Sequence, residues 1–307
     1  MVKIISILIL LYTSIFADTF IDSTYWMNSA NSSGIGLAVT AQTNHPDAVF
    51  FNPASLTTIK KTSLNLSYTS IYDTEFSTLS FTSKIKGIHM GIGTHFSQSE
   101  SIEKTSFDET NKQIISNGSY SYNYYNFYLS AASRIPYLSF LSIGASYNLH
   151  QMGMDGDTLK GETANWGILL KPSDFISLGL TRYYAIPFKL TWVSEDRIDN
   201  NYLTSIHDIS EYSVIGLELK LKKLLKLDLT ILSDYTLDQS SDESSAFRIG
   251  TKLNVENITL LSGYNHRYIS VGVGTQIKQI RLNYSLTFPR ENESLDNRHS
   301  FGLNYNF

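Results

Sequence analysis

Apolar and polar residues alternate along most of the chain, from residue 62 to residue 307. An alternation with a period of two places all the apolar side chains of a segment on one face of a β-strand. Segments with this pattern lie at residues 64–68, 88–92, 120–124, 141–147, 186–192, 215–221, 225–231, 247–253, 280–286 and 301–307. The pattern predicts an all-β chain with about fifteen short strands.

The charged residues of these segments fall on the polar face: Glu218, Lys220, Asp228, Arg248, Lys252 and Arg281. A Lys or Arg that faces lipid near the midplane of a membrane costs about 2–4 kcal/mol, so we expect the polar face to line a wet interior. A soluble β-sandwich with its apolar face inward shows the same alternation and is the alternative. The content of 20 Tyr, 16 Phe and 3 Trp favours a transmembrane antiparallel β-barrel with aromatic girdles. Because an open sheet edge is excluded in lipid, the sheet must close.

Residues 1–17 have the pattern of a secretory signal peptide: Lys3 precedes a nearly unbroken apolar run that ends before Ala17. The run is shorter than the roughly 20 apolar residues that a spanning helix needs, although a retained anchor or a buried helix is the alternative. Cysteine is absent, which excludes a disulfide framework and thiolate metal sites. The net charge is −4 and there is no basic tract, so nucleic acid is not an expected partner. These features predict the bacterial cell outer membrane as the location.

One stretch, residues 45–56, does not alternate and separates a Ser-, Asn- and Gly-rich segment from the repeating body. Two prolines in it, Pro46 and Pro53, disfavour helix at the residues before them. We interpret the stretch as the junction between a small N-terminal plug segment at residues 18–60 and a barrel at residues 61–307.

The aromatic pair before Asn52-Pro53-Ala54, with a small-residue run at residues 33–38 upstream, resembles the N-terminal signature of the FadL superfamily of outer-membrane proteins. It is also similar to that of the related PorV/PorQ-type proteins. Both families usually continue with Gly, where this chain has Ser55. The resemblance implies a barrel of about fourteen strands, so one of the fifteen segments is a plug element, a loop or part of a split strand. The break that we consider first lies at residues 183–187.

The FadL resemblance implies a channel for passive uptake of hydrophobic small molecules, such as long-chain fatty acids or aromatic hydrocarbons. In that family a plug in the lumen shifts, and the substrate leaves sideways through a gap in the wall. The residues that we expect to contact the substrate or the plug site are Phe50, Phe51, Asn52, Pro53 and Ala54. Phe50 and Phe51 would make apolar contacts, and Asn52 and Pro53 would fix the turn that seats the plug. Simple packing against the barrel wall is the alternative for the two phenylalanines.

Two other functions remain open from the sequence. A PorV-like barrel would bind secreted proteins or hand them over at the cell surface. A general porin would have an open aqueous channel, and a plug argues against it. Outer-membrane lipid and the barrel-insertion machinery are the other expected partners, the latter because Tyr305-Asn306-Phe307 resembles a C-terminal insertion signal.

No catalytic residue, metal site or cofactor is predicted. His89 and His95 share a strand face but lack a third ligand, and His45-Pro46-Asp47 is better explained as a turn than as an acid–base pair. There is no Gly-x-Ser-x-Gly elbow, so we expect no enzyme activity. Tight turns at residues 84–87, 171–174 and 222–224 are predicted to be periplasmic. Longer loops are predicted to be extracellular at residues 97–118, 152–161, 195–211, 234–245 and 289–298.

Overall fold

The computed structural model describes residues 28–71, 74–108, 112–155, 157–186, 188–194, 207–209, 211–224, 227–237, 247–289 and 297–307. The predicted signal peptide and the first ten residues of the predicted plug lie outside the described residues. None of the helices in the described ranges is long and apolar enough to span a membrane.

The first part of the chain contains one short helix, α1 (Ala30–Gly34), and two 3-10 helices, Pro46–Val49 and Pro53–Thr58. Strand segments account for most of the remaining described residues: β1 (Ser63–Ile71), β2 (Thr74–Ile85), β3 (Ile88–Asp108), β4 (Gln113–Ile135), β5 (Leu138–Met154), β6 (Asp157–Leu170), β7 (Ile176–Tyr183), β8 (Phe188–Ser194), β9 (His207–Ile209), β10 (Tyr212–Leu224), β11 (Leu227–Leu237), β12 (Phe247–Val255), β13 (Ile258–Tyr264), β14 (Tyr268–Ile277), β15 (Ile280–Pro289) and β16 (Arg298–Asn306).

The strands form a closed antiparallel barrel. Consecutive strands pair from β1 to β7 and from β10 to β16, β7 pairs with β10, and β1 pairs with β16 to close the ring. The pair β8–β9 is not counted as a separate strand of the ring. Strands β7 and β8 pair with the same edge of β6 and are therefore two parts of one strand. Fourteen positions result, which confirms the predicted all-β barrel of about fourteen strands. The split strand is β7–β8, at the break that the sequence indicated.

Side chains alternate between the interior and the outer surface as the sequence predicts. In β1, Asn65 and Ser67 face inward and are buried, whereas Leu66 and Tyr68 are 42% and 41% exposed on the outside. The same phase holds for the predicted segments of β3, β5, β10, β11, β12, β15 and β16. The outward face of segment 186–192 lies largely outside the described side chains.

The predicted phase is wrong in β4. The sequence pattern placed Tyr124 on the outer face, but Tyr124 is 3% exposed and points inward, whereas Tyr125 is 48% exposed on the outside. The apolar residues Phe127 and Leu129 farther along the strand set the phase, and a one-residue shift would turn them inward. A tyrosine fits either face because its ring is apolar and its hydroxyl can find a partner inside.

Two predicted loops are also wrong. Residues 97–108 continue β3 and residues 113–118 belong to β4, so most of the predicted loop 97–118 is a long hairpin. Likewise β5 extends to Met154 and β6 begins at Asp157, so most of the predicted loop 152–161 is strand. Both faces of the β3–β4 hairpin near its tip are mainly exposed, so it needs no apolar face and shows no alternation to detect. The other three predicted loops fall largely outside the described residues.

Residues 28–62, which we call the N-terminal segment, form hydrogen bonds with strands around the barrel. Their hydrogen bonds reach β1, β4, β6, β7, β10, β11 and β12. Two inward glycines let the backbone of the segment touch the wall. A Cβ atom on Gly144 would lie 2.5 Å from the nitrogen of Ala54, and one on Gly263 would lie 2.0 Å from the nitrogen of Gly36. We call the end where Thr62 bonds to Phe307 the short-turn end, and the opposite end the loop end.

Candidate functional site

Asn52, Pro53 and Ala54 form a buried turn that fixes the N-terminal segment to the wall. The Oδ1 atom of Asn52 accepts a hydrogen bond from the backbone nitrogen of Ala54 at 3.1 Å, which caps the second 3-10 helix. Its Nδ2 atom donates to the carbonyl oxygens of Thr40 at 2.8 Å and Ile168 at 3.2 Å. Pro53 stands at the first helical position, where no backbone N–H is required. Asn52 and Pro53 therefore build a capped turn, and its role in seating a plug stays a prediction.

The two phenylalanines contact different strands of the wall, Phe50 through its ring and Phe51 through its backbone carbonyl. The ring of Phe50 lies 4.1 Å from the ring of His95 and 5.1 Å from that of Tyr128, measured between centroids. The carbonyl oxygen of Phe51 accepts a hydrogen bond from the hydroxyl of Tyr183 at 2.9 Å. Both phenylalanines are at most 8% exposed. The five predicted residues thus come together, although their role in binding a substrate stays a prediction.

Aromatic side chains continue along the wall toward the loop end. The Tyr124 hydroxyl lies 2.7 Å from Nδ1 of His150. The ring of Tyr184 lies 6.4 Å from that of His150, and Tyr183 stacks on Tyr212 at 4.8 Å. We call the inward faces of β3 to β6, together with Tyr183, the aromatic wall. Sequence reasoning did not find this cluster; the one signal was the Tyr183-Tyr184 pair at the suspected strand break.

The barrel wall is irregular where β7 ends. Lys160 of β6 pairs with Thr191, and Trp166 pairs with Arg182, so the opposite strand contains three more residues than β6 between these pairs. Only a few bonds cross the irregularity, one of them from the backbone nitrogen of Ala185 to a carbonyl of β6 at 2.9 Å. Insertions of this kind bend a strand and disrupt the ladder locally.

A cavity of about 860 Å³ lies beside this break. Its outer-surface lining includes Tyr125, Phe127, Leu149, Glu162 and Ile186. The lining also contains Lys160 and Gln151 and the inward residues Asn126 and His150, so the cavity joins outer apolar side chains to residues of the interior.

On β10 to β12, the inward faces carry charged residues, and we call these faces the charged wall. Asp234 is 2% exposed, and its Oδ2 atom accepts hydrogen bonds from the backbone nitrogens of Val39 and Thr40, both at 2.9 Å. The Thr40 hydroxyl donates to the same oxygen at 2.8 Å. Such charge-assisted bonds are about twice as strong as neutral ones.

Two neighbouring groups extend this anchoring. Glu218 accepts hydrogen bonds from the backbone nitrogen and the hydroxyl of Thr43, at 3.2 and 2.6 Å, and lies 3.1 Å from Lys220 Nζ. Lys252 Nζ donates to Asn31 Oδ1 at 3.0 Å. From the sequence these residues were predicted only to face the interior; their partners in the N-terminal segment could not be predicted.

His45 and Asp47 are structural neighbours in the N-terminal segment. The Nδ1 atom of His45 accepts a hydrogen bond from the Asp47 backbone nitrogen at 3.3 Å and so caps the first 3-10 helix. Burial lowers the pKa of His45 to about 4, which keeps the ring neutral at pH 7. Asp47 in turn accepts hydrogen bonds from Ser29, Ser32 and Asn65. The His45-Pro46-Asp47 motif therefore stabilises a capped turn.

Metal-ligating residues do not cluster in the part of the chain that the structure describes: no three His, Asp or Glu side chains are grouped there. His89 and His95 both face the interior from β3, as predicted from their spacing.

No protein-family model matches the sequence, and no curated protein has significant sequence similarity to it. Solved structures do resemble the fold. The toluene transporter TodX of P. putida is 12% identical with a TM-score of 0.63, and the match covers 91% of this chain and 98% of that chain. The Ralstonia pickettii toluene transporter TbuX is 12% identical with a TM-score of 0.60, and the match again covers 91% of this chain and 98% of that chain. A Pseudomonas aeruginosa FadL homologue is 13% identical with a TM-score of 0.57, over the same shares of the two chains.

These proteins are transporters or relatives of transporters, and they give no support to the alternative of a PorV-like role in secretion. At this level of identity the likeness concerns the fold, and it agrees with the resemblance that the sequence motif suggested. This chain therefore has the barrel fold of the FadL-type outer-membrane transporters.

Proposed function

We propose that the protein is an outer-membrane channel for the passive uptake of hydrophobic small molecules, long-chain fatty acids or aromatic hydrocarbons. The observation that carries the proposal is the break between β7 and β8, which lies beside the cavity that joins outer apolar side chains to residues of the interior. An open water-filled pore needs no such irregularity in its wall. A ligand that partitions into lipid better than into water does, because it can leave sideways without crossing an aqueous space.

The N-terminal segment acts as the plug of this channel, in keeping with the predicted boundaries of 18–60 for the plug and 61–307 for the barrel. Two contacts support this role: the Phe50 ring packs on His95, and the Phe51 carbonyl accepts a hydrogen bond from Tyr183. Asn52, Pro53 and Ala54 hold the turn that carries these two rings. Uptake then requires the plug to shift away from the aromatic wall.

The outer surface fits contact with outer-membrane lipid. Apolar side chains such as Leu66, Phe81, Ile92, Leu129 and Phe301 are 40–54% exposed there. In this orientation the short-turn end faces the periplasm, the loop end faces outward, and the barrel-insertion machinery places the chain in the membrane.

A reversible cross-link tests whether the plug must move. A Cβ on Gly302 would lie 3.3 Å from the Cβ of Ala30, close to the roughly 3.5–4.5 Å of disulfides. Because the chain has no cysteine, the double variant Ala30→Cys/Gly302→Cys can form only this one bond. Cells that express the oxidised variant should lose uptake of labelled toluene or oleate, and a reductant should restore it.

The two single-cysteine variants are the controls and should transport under both conditions. Equal uptake by the oxidised and reduced double variant would contradict a moving plug. In planar bilayers the unmodified protein should show no large ohmic pores, whereas a general porin would.

A further inference from the structure

The ring of Phe50 packs against a patch of the aromatic wall that is polar. His95 is 1% exposed, and neither of its ring nitrogens has a hydrogen-bond partner among the described residues. The ring makes its contacts through its faces, with Phe50 at 4.1 Å and Tyr128 at 5.2 Å. Buried polar atoms are nearly always paired, so two unpaired nitrogens on one side chain require an explanation.

Three neighbours of His95 share this property. His95 pairs with Thr78 on β2 and with Asn126 on β4, and Ser97 follows it on the same face of β3. Within the described residues, Thr78 Oγ1, Asn126 Oδ1 and Ser97 Oγ are buried without a partner. Residues directly opposite in antiparallel strands have their Cβ atoms about 5 Å apart. The unpaired atoms therefore form one group, which we call the polar patch.

The chemistry of the polar patch favours one kind of ligand group. A neutral imidazole offers one donor and one acceptor, Asn126 Oδ1 accepts, and each hydroxyl does both. None of the four side chains is charged at neutral pH, so a carboxylate would be desolvated there without a counter-charge. A hydroxyl group, which donates and accepts a hydrogen bond and is neutral, matches the polar patch.

The surroundings of the polar patch favour an aromatic ring. Phe50 lies tilted by 33° over His95 and edge-on to Tyr128, at 81°. Its ring also lies over Gly93, where a Cβ would come within 2.4 Å of Phe50 Cε1. The wall thus holds a six-membered ring at a defined place, but Phe50 has no polar atom with which to satisfy the patch.

We propose that Phe50 occupies the binding site of a neutral hydroxylated aromatic compound, a phenol, and that the plug vacates this site when it shifts. The ring of the phenol takes the place of the Phe50 ring, and its hydroxyl group bonds to His95 with Asn126 and Ser97. His95 and Asn126 are then the residues that distinguish a phenol from a plain hydrocarbon. This inference rests on the proposed uptake of hydrophobic molecules and names the substrate class.

The test compares toluene with p-cresol, which differ by one hydroxyl group. Binding of each is measured on the purified barrel in detergent, by titration calorimetry, for the unmodified protein and for Phe50→Ala. Removing the ring should raise the affinity for both compounds, and Phe50→Ala should bind p-cresol about threefold to tenfold more tightly than toluene, as expected for one or two hydrogen bonds.

Two further variants in the Phe50→Ala background show which residues cause the preference for p-cresol over toluene. His95→Phe keeps a ring but removes both nitrogens, and it should reduce the preference for p-cresol to about one; Asn126→Leu should reduce it in part. His89→Phe, on the same face of β3 but outside the polar patch, should keep it. Near-ultraviolet circular dichroism and heat-modifiable gel mobility verify that each variant is folded.

The outcomes separate the two proposals. Equal binding of toluene and p-cresol, or a preference that survives His95→Phe, would overturn the phenol site and mean that water alone pairs the polar patch. If the folded Phe50→Ala variant binds neither compound and its parent takes up neither toluene nor oleate, the uptake function itself is wrong. Tighter p-cresol binding that disappears with His95→Phe supports the inference.

Discussion

The N-terminal segment meets two walls of the same barrel that hold it in different ways. On the charged wall, Asp234 and Glu218 accept five hydrogen bonds from Val39, Thr40 and Thr43. On the aromatic wall, Val49 and Phe50 pack against Gly91, Gly93 and the rings of His95 and Tyr128. Residues 49–51 there also form hydrogen bonds with Ser130 and Tyr183. Charge-assisted bonds are directional and strong, whereas apolar contacts tolerate sliding. The difference indicates an anchored side at residues 39–43 and a less firmly held, movable side at residues 49–51, next to the turn that Asn52 fixes to β6.

The largest effect is expected on the anchored side. Asp234→Ala removes the acceptor of two buried backbone N–H groups and the carboxylate opposite Arg248, so it should lower the free energy of unfolding by about 3–5 kcal/mol. Urea unfolding in lipid measures this loss. Hydrogen exchange at Val39 and Thr40 should accelerate. Asp228→Ala, at an exposed position of the same strand, should change stability by less than about 0.5 kcal/mol. Equal losses in the two variants would contradict the anchor.

A pH titration of stability tests whether His45 is buried within the N-terminal segment. Since burial lowers the pKa of His45 to about 4 from an ordinary value of 6.5, the unfolded chain binds the proton first as the pH falls. His45 therefore contributes stability that is complete above pH 6.5 and declines by about 3 kcal/mol toward pH 4.

His45→Asn provides the comparison for this titration, because Asn can still accept the Asp47 N–H as a helix cap but does not titrate. The variant should lose that part of the pH dependence. An unchanged slope between pH 6.5 and 4 would show that His45 is not buried in the folded protein.

The fit of the segment to the aromatic wall is tested with a methyl group. Gly144→Ala places a Cβ 2.5 Å from backbone atoms of Pro53 and Ala54 and should cost about 1–3 kcal/mol through overpacking. Gly153→Ala on the same strand meets no atom within 4 Å and should change stability little. Thermal unfolding of the two variants measures the difference. Similar midpoints would mean that the segment does not touch the wall at Gly144.

The smallest effect is expected at the single hydroxyl that ties Phe51 to the wall. Tyr183→Phe removes the donor to the Phe51 carbonyl and should cost about 1 kcal/mol in urea unfolding. Tyr125→Phe on the outer surface serves as the control. If the movable side limits uptake, Tyr183→Phe should also raise the initial rate of toluene uptake modestly. A loss as large as that of Asp234→Ala would remove the distinction between the two walls.

Much of the barrel could be predicted from the sequence because burial imposes a period of two on each strand. Strand faces and the inward charges follow from that pattern. The expectation of a split strand came from the family resemblance, which implies fourteen strands where the pattern alone predicts fifteen. The prediction was wrong where the pattern carries no information. Tyr124 suits either face, and the β3–β4 hairpin exposes both of its faces near the tip.

The site was only partly predictable. The motif at Phe50 to Ala54 marked the turn that meets the wall, because two prolines and an aromatic pair leave a local signature. The partners of this turn are far away in sequence: Tyr183 lies 132 residues from Phe51, and Asp234 lies 194 residues from Thr40. Such pairings depend on how fourteen strands close, and no local pattern encodes them.

The three surplus residues opposite β6 have a mechanical consequence. On both sides of this irregularity the strand pairs with β6, at Lys160 on one side and at Trp166 on the other. A rearrangement of the few bonds in between would leave the strand paired with β6 on both sides. This stretch of the wall can therefore deform while the ring of strands stays closed.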